Sequence, residues 1–274
     1  MVLGFVAVTA LLAWPPVRDL DLAVRDLADA HRPPSADTIA QLFNRLGSGG
    51  ILSGVALVLA VLLAAWRRSA WPLAPVVAAF VLTGVVIQPL KLYLHRAAPH
   101  SPLPDDVEVR LFSQPEGLSY PSGHAVNTIV WYGVLCLLLT TWARAASDLP
   151  QPRVDLGVVR VIGDQTTRTT PRSTEREVAA RGVAGMAVAW GVAAQAVAEW
   201  FTPGSVGRRW LRIVPVVVVG FTTTYLGYHW LTDMFAGLFL GVLIDRLLAR
   251  TPWPLPRRPL PRRPLPRRPP SASI

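Results

Sequence analysis

Lysine and cysteine are almost absent from the chain: 26 of its 27 basic residues are arginine, Lys91 is the sole lysine and Cys136 the sole cysteine. One cysteine excludes an intrachain disulfide and any cysteine-based metal cluster. Charge is scarce as well. Only 16% of the 274 residues are charged and 51% are hydrophobic, whereas a soluble domain carries about a quarter charged residues. That ratio argues against a water-soluble globular protein. A net charge of +10 would suggest nucleic acid in a soluble chain. Here the arginines flank long apolar runs, so a membrane is the expected partner and nucleic acid is not.

The apolar residues gather into seven uncharged blocks: Met1–Val17, Gly50–Trp66, Ala70–Leu90, Ala125–Trp142, Gly182–Ala198, Ile213–Tyr228 and Met234–Ile244. A helical span needs about 20 apolar residues, with about 17 tolerated. The expected fold is therefore all-α, a polytopic membrane helix bundle over residues 1–250. The first block has no basic region before it and meets Pro15-Pro16 rather than a small-residue cleavage site, which predicts a short retained helix. With the amino terminus inside, 20 cations fall on the cytoplasmic side and seven outside, the bias that basic residues impose on membrane proteins. Residues 143–205 stand apart as an atypical cytoplasmic loop or insertion. The 251–274 tail repeats Pro-Leu-Pro-Arg-Arg at 254–258, 259–263 and 264–268, a disordered, polyproline-II composition. It reads first as a solvated cytoplasmic stop-transfer segment and second as a clamp on anionic lipid headgroups.

Three short segments hold most of the polar residues at span ends: Lys91–Pro99, Ser119–His124 and Thr222–Asp233. In the orientation above all three fall at the outer face. His229 and Asp233 are four residues apart, so they share a helix face. A carboxylate on one imidazole nitrogen fixes the tautomer and leaves the other nitrogen free to attack. His124 opens a helix after Pro-Ser-Gly, where backbone N–H groups favour an anion; Gly123 permits close approach. Lys91 and Arg96 add positive charge for phosphate oxygens. Two histidines, an orienting acid and several anion donors suit phosphoryl transfer through a phosphohistidine, with one imidazole attacking and the other protonating the leaving group. His31 and His100 read as ordinary interfacial residues, and Asp105-Asp106 as a solvated turn.

These segments resemble the signatures of the lipid phosphatase family typified by type 2 phosphatidic acid phosphatases, which is related to the vanadium haloperoxidases. The family patterns are K-x6-R-P, P-S-G-H and S-R-x5-H-x3-D. Lys91 and Pro99 match the first, Pro121-Ser122-Gly123-His124 the second in full, and His229 and Asp233 the third. The resemblance covers residues 40–142 and 205–250. It implies a six-helix bundle, a metal-independent phosphohistidine mechanism without cofactor, and a lipid phosphate or polyprenyl diphosphate substrate. Two arginines of the pattern are replaced, by Ala98 and by Thr223 after Thr222. Hydrogen bonds to charged groups contribute about 1.5–3 kcal/mol each, so an uncompensated loss slows turnover by one to several orders of magnitude. Arg96, Arg110, His95 and the neutral donor Thr223 are the candidates to compensate.

Helix parity sets a further expectation. His124 and His229 can share a face only if one of the last blocks does not cross. Gly182–Ala198, rich in alanine and glycine and lacking leucine, is the block assigned to an interfacial or non-spanning helix near 182–200. The sum is six transmembrane helices plus that helix, in the cytoplasmic membrane, with the site on the extracytoplasmic face. Expected catalytic residues are His229 as nucleophile, Asp233 as its orienter and His124 as general acid. Lys91, Arg96, Ser122, Gly123 and Thr223 are the expected phosphate ligands. The alternatives are a headgroup phosphotransferase of the inositol phosphorylceramide or sphingomyelin synthase type, and a non-catalytic relative.

Overall fold

The structure, a computed structural model, describes residues 1–147, 196, 199–201 and 204–253. The Gly182–Ala198 block apart from residue 196, most of the 143–205 loop and the tail beyond Trp253 lie outside the described residues. Among those described, all regular elements are helical: α1 (Val2–Leu11), α2 (Pro15–Ala30), α3 (Pro34–Asn44), α4 (Gly49–Arg67), α5 (Ala74–Leu94), the one-turn α6 (Asp105–Glu108), α7 (Gly123–Ser147), α8 (Val206–Tyr225) and α9 (Leu231–Arg250). A lone bridge joins Arg96 to Leu118.

Among the described residues, five long helices make the bundle. α4, α7 and α9 start at one end, and α5 and α8 finish there. At the opposite end Arg67 Nη2 donates to the Thr141 carbonyl (3.4 Å), and Arg212 of α8 pairs with Asp245 of α9. Three segments, Gly49–Arg67, Trp71–Leu94 and Gly123–Ala143, are long and apolar enough to cross a membrane; a fourth candidate is α1 and α2 taken together. α8 and α9 have 20 residues each and carry their charges near their ends, among them Arg208, Arg209, Arg246 and Arg250. α7 is the central helix: 72% of its apolar window is buried, against 22% for α4 and for α5. The outward faces of α4 and α5 expose Leu57, Val58, Leu62, Phe80 and Val81, a surface that only hydrocarbon solvates without loss.

The register of α7 against α9 depends on two glycines. A Cβ on Gly237 would lie 2.6 Å from the Ser122 carbonyl oxygen and 2.8 Å from Ala125 Cβ, and one on Gly241 would lie 3.1 Å from Ile129 Cβ. Small residues four apart let two membrane helices approach backbone to backbone. Here that approach brings the start of α9 against the Pro-Ser-Gly-His turn, where Ser122 N donates to the Asp233 carbonyl (3.1 Å).

The first apolar block behaves differently from its sequence reading. Met1–Val17 is not one helix: α1 ends at Leu11, and α2 starts at Pro15 at an angle of 87°. Pro15-Pro16 fit the first turn of a helix and cannot continue one. At 1.5 Å per residue α1 is about 15 Å long, half the hydrocarbon thickness. Its Thr9 hydroxyl bonds the Tyr120 phenol (2.8 Å), which burial pushes up to about 12 and so keeps protonated. α2 then lies across the end of the bundle, and α3 packs on α8.

Replacing Gly237 by alanine forces Cβ onto a backbone carbonyl that cannot yield. Overpacking of this kind costs about 1–3 kcal/mol, so the melting temperature of the solubilised protein is expected to fall by several degrees. Gly54→Ala, at a position with nothing within 4 Å of the added carbon, is the control and should leave it unchanged.

Candidate active site

The end of the bundle where α7 and α9 begin carries the two histidines. The rings of His124 and His229 lie 5.6 Å apart, centroid to centroid, and meet edge to face at 71°. The Tyr228 ring stacks on His124 at 6.4 Å. His124 is the second residue of α7, and His229 stands two residues before α9. Residues 105 apart in sequence meet because α7 leaves this end and α8 returns to it.

Behind His229 the polar contacts are dense. Its Nδ1 faces Ser119 Oγ (3.3 Å) and Asp233 Oδ2 (3.4 Å), which leaves Nε2 without a hydrogen bond among the described residues. Asp233 Oδ2 also accepts from the Ser119 hydroxyl and from Trp230 N (3.0 Å), the second bond closing the first turn of α9. Asp233 Oδ1 takes Arg96 Nη1 at 2.5 Å. The carboxylate is wholly buried, so every lone pair direction it uses is set by protein.

Arg96 corrects a sequence expectation. It is 0% exposed, and its five N–H groups match five bonds: Nε and Nη2 to the Val109 carbonyl, Nη1 to Thr232 Oγ1 and Asp233 Oδ1, Nη2 to Asp21 Oδ2. No donor remains for a phosphate. The guanidinium instead joins Asp21 of α2 to Asp233 of α9, over the Trp230 ring at 5.2 Å. Two other expected phosphate ligands are also turned inward. The buried Ser122 hydroxyl accepts from Ala125 N (3.4 Å) as a helix cap, and the buried Thr223 hydroxyl donates to Asn44 Oδ1 (2.5 Å). Arg110 pairs with Asp106 at the surface (3.0 Å).

Lys91 and Gly123, two more of the expected phosphate ligands, lie side by side at the start of α7. The Lys91 stem passes 3.8 Å from where a Gly123 Cβ would be, and its ammonium donates to the Leu118 carbonyl. Below them a groove of about 380 Å³ runs between α4, α5 and α7, lined among others by Gly50, Gly84, Gln88, Lys91, Gly123 and Asn127. The segment from Arg96 to Tyr120 roofs the site and is pinned from α2: Arg25 Nη1 reaches Glu108 at 2.5 Å and Asp105 at 3.0 Å. Arg25 holds the Asp105 carboxyl below its ordinary value, so the expected solvated turn is half of an ion pair. Among the described residues no group of three or more His, Cys, Asp or Glu side chains could hold a metal ion.

Residues 72–257 match the family model of the PAP2 superfamily, more than half the chain. The chain belongs to the PAP2 superfamily. It is similar in fold to the crystal structure of a transmembrane PAP2-type phosphatidylglycerolphosphate phosphatase from Bacillus subtilis, with a TM-score of 0.55 and 18% identity over 90% of this chain and 91% of that one. No curated protein sequence matches significantly. Membership in the PAP2 superfamily supports a phosphatase activity for this membrane protein.

Asp21 and Asn44 lie outside the three polar segments of the sequence, and Ser119 and Thr232 lie inside them without an assigned role. Asp21 looks in sequence like one of several acids on an amphipathic helix, and nothing local distinguishes it from Asp19 or Asp26. Asn44 falls inside the 40–142 stretch of the family resemblance, and none of the three motifs there singles it out.

Breaking a buried ion pair on one side costs about 3–5 kcal/mol, because the partner charge stays behind. Arg96→Met is therefore expected to lower the melting temperature sharply, and Asp21→Asn added to it should recover part of the loss. A phosphate ligand would instead give a stable variant with a raised KM.

Proposed function

We propose that the protein is an integral-membrane lipid phosphatase that hydrolyses a phosphate monoester or diphosphate headgroup through a phosphohistidine. The supporting observation is the facing pair His124 and His229, in which only His229 has an acid on Nδ1. Its Nε2 lone pair attacks phosphorus while the bond to the leaving oxygen breaks, and His124 gives that oxygen its proton. Water then attacks the phosphohistidine, His124 takes the water proton, and the N–P bond breaks to free phosphate. The phosphorylated ring carries positive charge. Arg96 with Asp21 and Asp233 sums to one negative charge directly behind it, which favours that state.

Lys91 and the first N–H groups of α7 are assigned to the phosphate oxygens. None of these steps uses a metal. In this reading α4, α5, α7, α8 and α9 cross the bilayer and the bent α1–α2 pair is the sixth element. The arginine-bearing end and the tail are cytoplasmic, and the histidines lie at the extracytoplasmic face of the cell membrane. The lipid body leaves phosphorus beside His124 and enters the groove under Lys91. Asn127 and Gln88 there make no side-chain hydrogen bond among the described residues, and unpaired amides at membrane depth are costly. Their neutral donors suit the ester carbonyls of a glycerolipid, the class to which the phosphatidylglycerolphosphate of the similar Bacillus subtilis protein belongs.

The test is phosphate release by the purified protein from phosphatidic acid, phosphatidylglycerol phosphate and a polyprenyl diphosphate, with and without an added lipid alcohol. His229→Ala should reduce release to background and abolish the acid-labile phosphoenzyme seen after rapid quenching. Wild-type-like release by that variant would end the reading, and transfer to the alcohol without free phosphate would make the protein a phosphotransferase. Asn127→Leu should raise KM for a diacyl phosphate about two- to tenfold, the loss of one neutral hydrogen bond, with kcat held; a dialkyl ether analogue should show no such change.

A further inference from the structure

We infer that Asn44, held by Thr223, is the positioning residue for His124: a neutral partner that serves the imidazole in both of its protonation states. The inference rests on the general-acid role of His124 given above. Asn44 ends α3 and is 6% exposed. Its Nδ2 lies 3.4 Å from His124 Nε2, and its Oδ1 accepts from the Thr223 hydroxyl at 2.5 Å. Thr223 occupies the place where the family pattern has arginine.

The backbone delivers this amide deliberately. α3 lies outside the bundle on α8, and the chain dips between α7 and α8 only at the turn after Asn44. There a Cβ on Gly47 would come within 2.9 Å of Thr128 Oγ1 and would collide with Val219. Thr128 spends its own hydroxyl on the His124 carbonyl (2.7 Å), so Asn44 is the side chain from α3 that meets the ring.

A general acid alternates between imidazolium, with two N–H groups, and imidazole, with one. An arginine in contact with Nε2 could only donate, and would oppose the imidazolium. An amide can turn its oxygen to an Nε2–H or its nitrogen to a bare Nε2, and a threonine hydroxyl can donate to the amide oxygen or accept from the amide nitrogen. The pair therefore bonds Nε2 with or without its hydrogen, leaving Nδ1 to hold and release the proton of the acid step. The other groups facing His124 are His229 and Tyr228 from the α8–α9 turn and Lys91 from α5, with Asp233 behind His229; Arg45, the next residue after Asn44, is exposed.

The experiment compares kcat and KM against pH for Asn44→Asp, Asn44→Ala, Thr223→Val and Thr223→Ser, with phosphatidic acid in mixed micelles. Asn44→Asp places an anion against Nε2 and should move the alkaline limb of kcat up by about one pH unit. Asn44→Ala and Thr223→Val should lower kcat about 10–100-fold, the usual effect of losing a partner that orients a functional imidazole, with KM nearly unchanged. Thr223→Ser keeps the hydroxyl and should keep the rate. An alkaline limb unmoved in Asn44→Asp, equal rates for Thr223→Val and Thr223→Ser, or a raised KM with kcat intact in Asn44→Ala would each overturn the inference. Titration of the His124 ring by nitrogen-15 NMR, in wild type and in the near-isosteric Asn44→Asp, reads the same shift without turnover. Its result stands apart from the His229→Ala assay, so the two readings can fail separately.

Discussion

A single guanidinium closes one end of this bundle. Arg96 sits where water does not reach, between the carboxylates of Asp21 and Asp233, and spends all five N–H groups there. A buried charge is tolerable only when paired and fully hydrogen-bonded, and each partner here is itself tied elsewhere. Thr232 donates its backbone N–H to Asp21 Oδ1 (3.0 Å) and its hydroxyl to Oδ2 (2.5 Å). Through this knot the amphipathic α2, the roof segment and the first turn of α9 are held to one another. Without it neither the position of Asp233 nor the tilt of α2 would be fixed by the apolar packing, which is non-directional.

The same knot shapes the electrostatics of the histidine pair. One imidazole has a carboxylate and a hydroxyl behind it, and the other has an amide beside it. Two like side chains therefore meet the same space with different partners, the general way in which a site separates a nucleophile from an acid. The cation that lines the open groove is Lys91, not an arginine. A neutral amide, Asn44, stands beside His124, and the charge of Arg96 is kept inside the protein.

The lower part of the molecule exists to hold that end in place. α7 is enclosed by α4, α5, α8 and α9, and the α7–α9 contact is close enough that Gly237 and Gly241 admit no larger residue without displacement. Because helix ends are stiff extensions of helix packing, this contact positions the Pro-Ser-Gly-His turn against the start of α9. The lipid-facing α4 and α5 leave a groove at Gly50 and Gly84 that opens towards Lys91, connecting hydrocarbon with the polar end.

Composition and apolar runs were enough to establish an all-helical membrane chain, because a bilayer admits so few backbone solutions that hydropathy alone selects among them. The short signatures were enough to place His124, His229 and Asp233 together, since P-S-G-H and H-x3-D fix local geometry by backbone and spacing. Beyond that range the sequence was silent. It did not show that Arg96 faces inward or that the Thr223 hydroxyl donates to Asn44. Nor did it distinguish Asp21 among the acids of α2, or foresee the bend at Pro15. Those facts depend on which side chains meet after helices pack, where burial and hydrogen-bond satisfaction decide direction. A basic residue beside a signature marks charge near a site, and only the tertiary structure decides whether that charge meets the substrate or the protein.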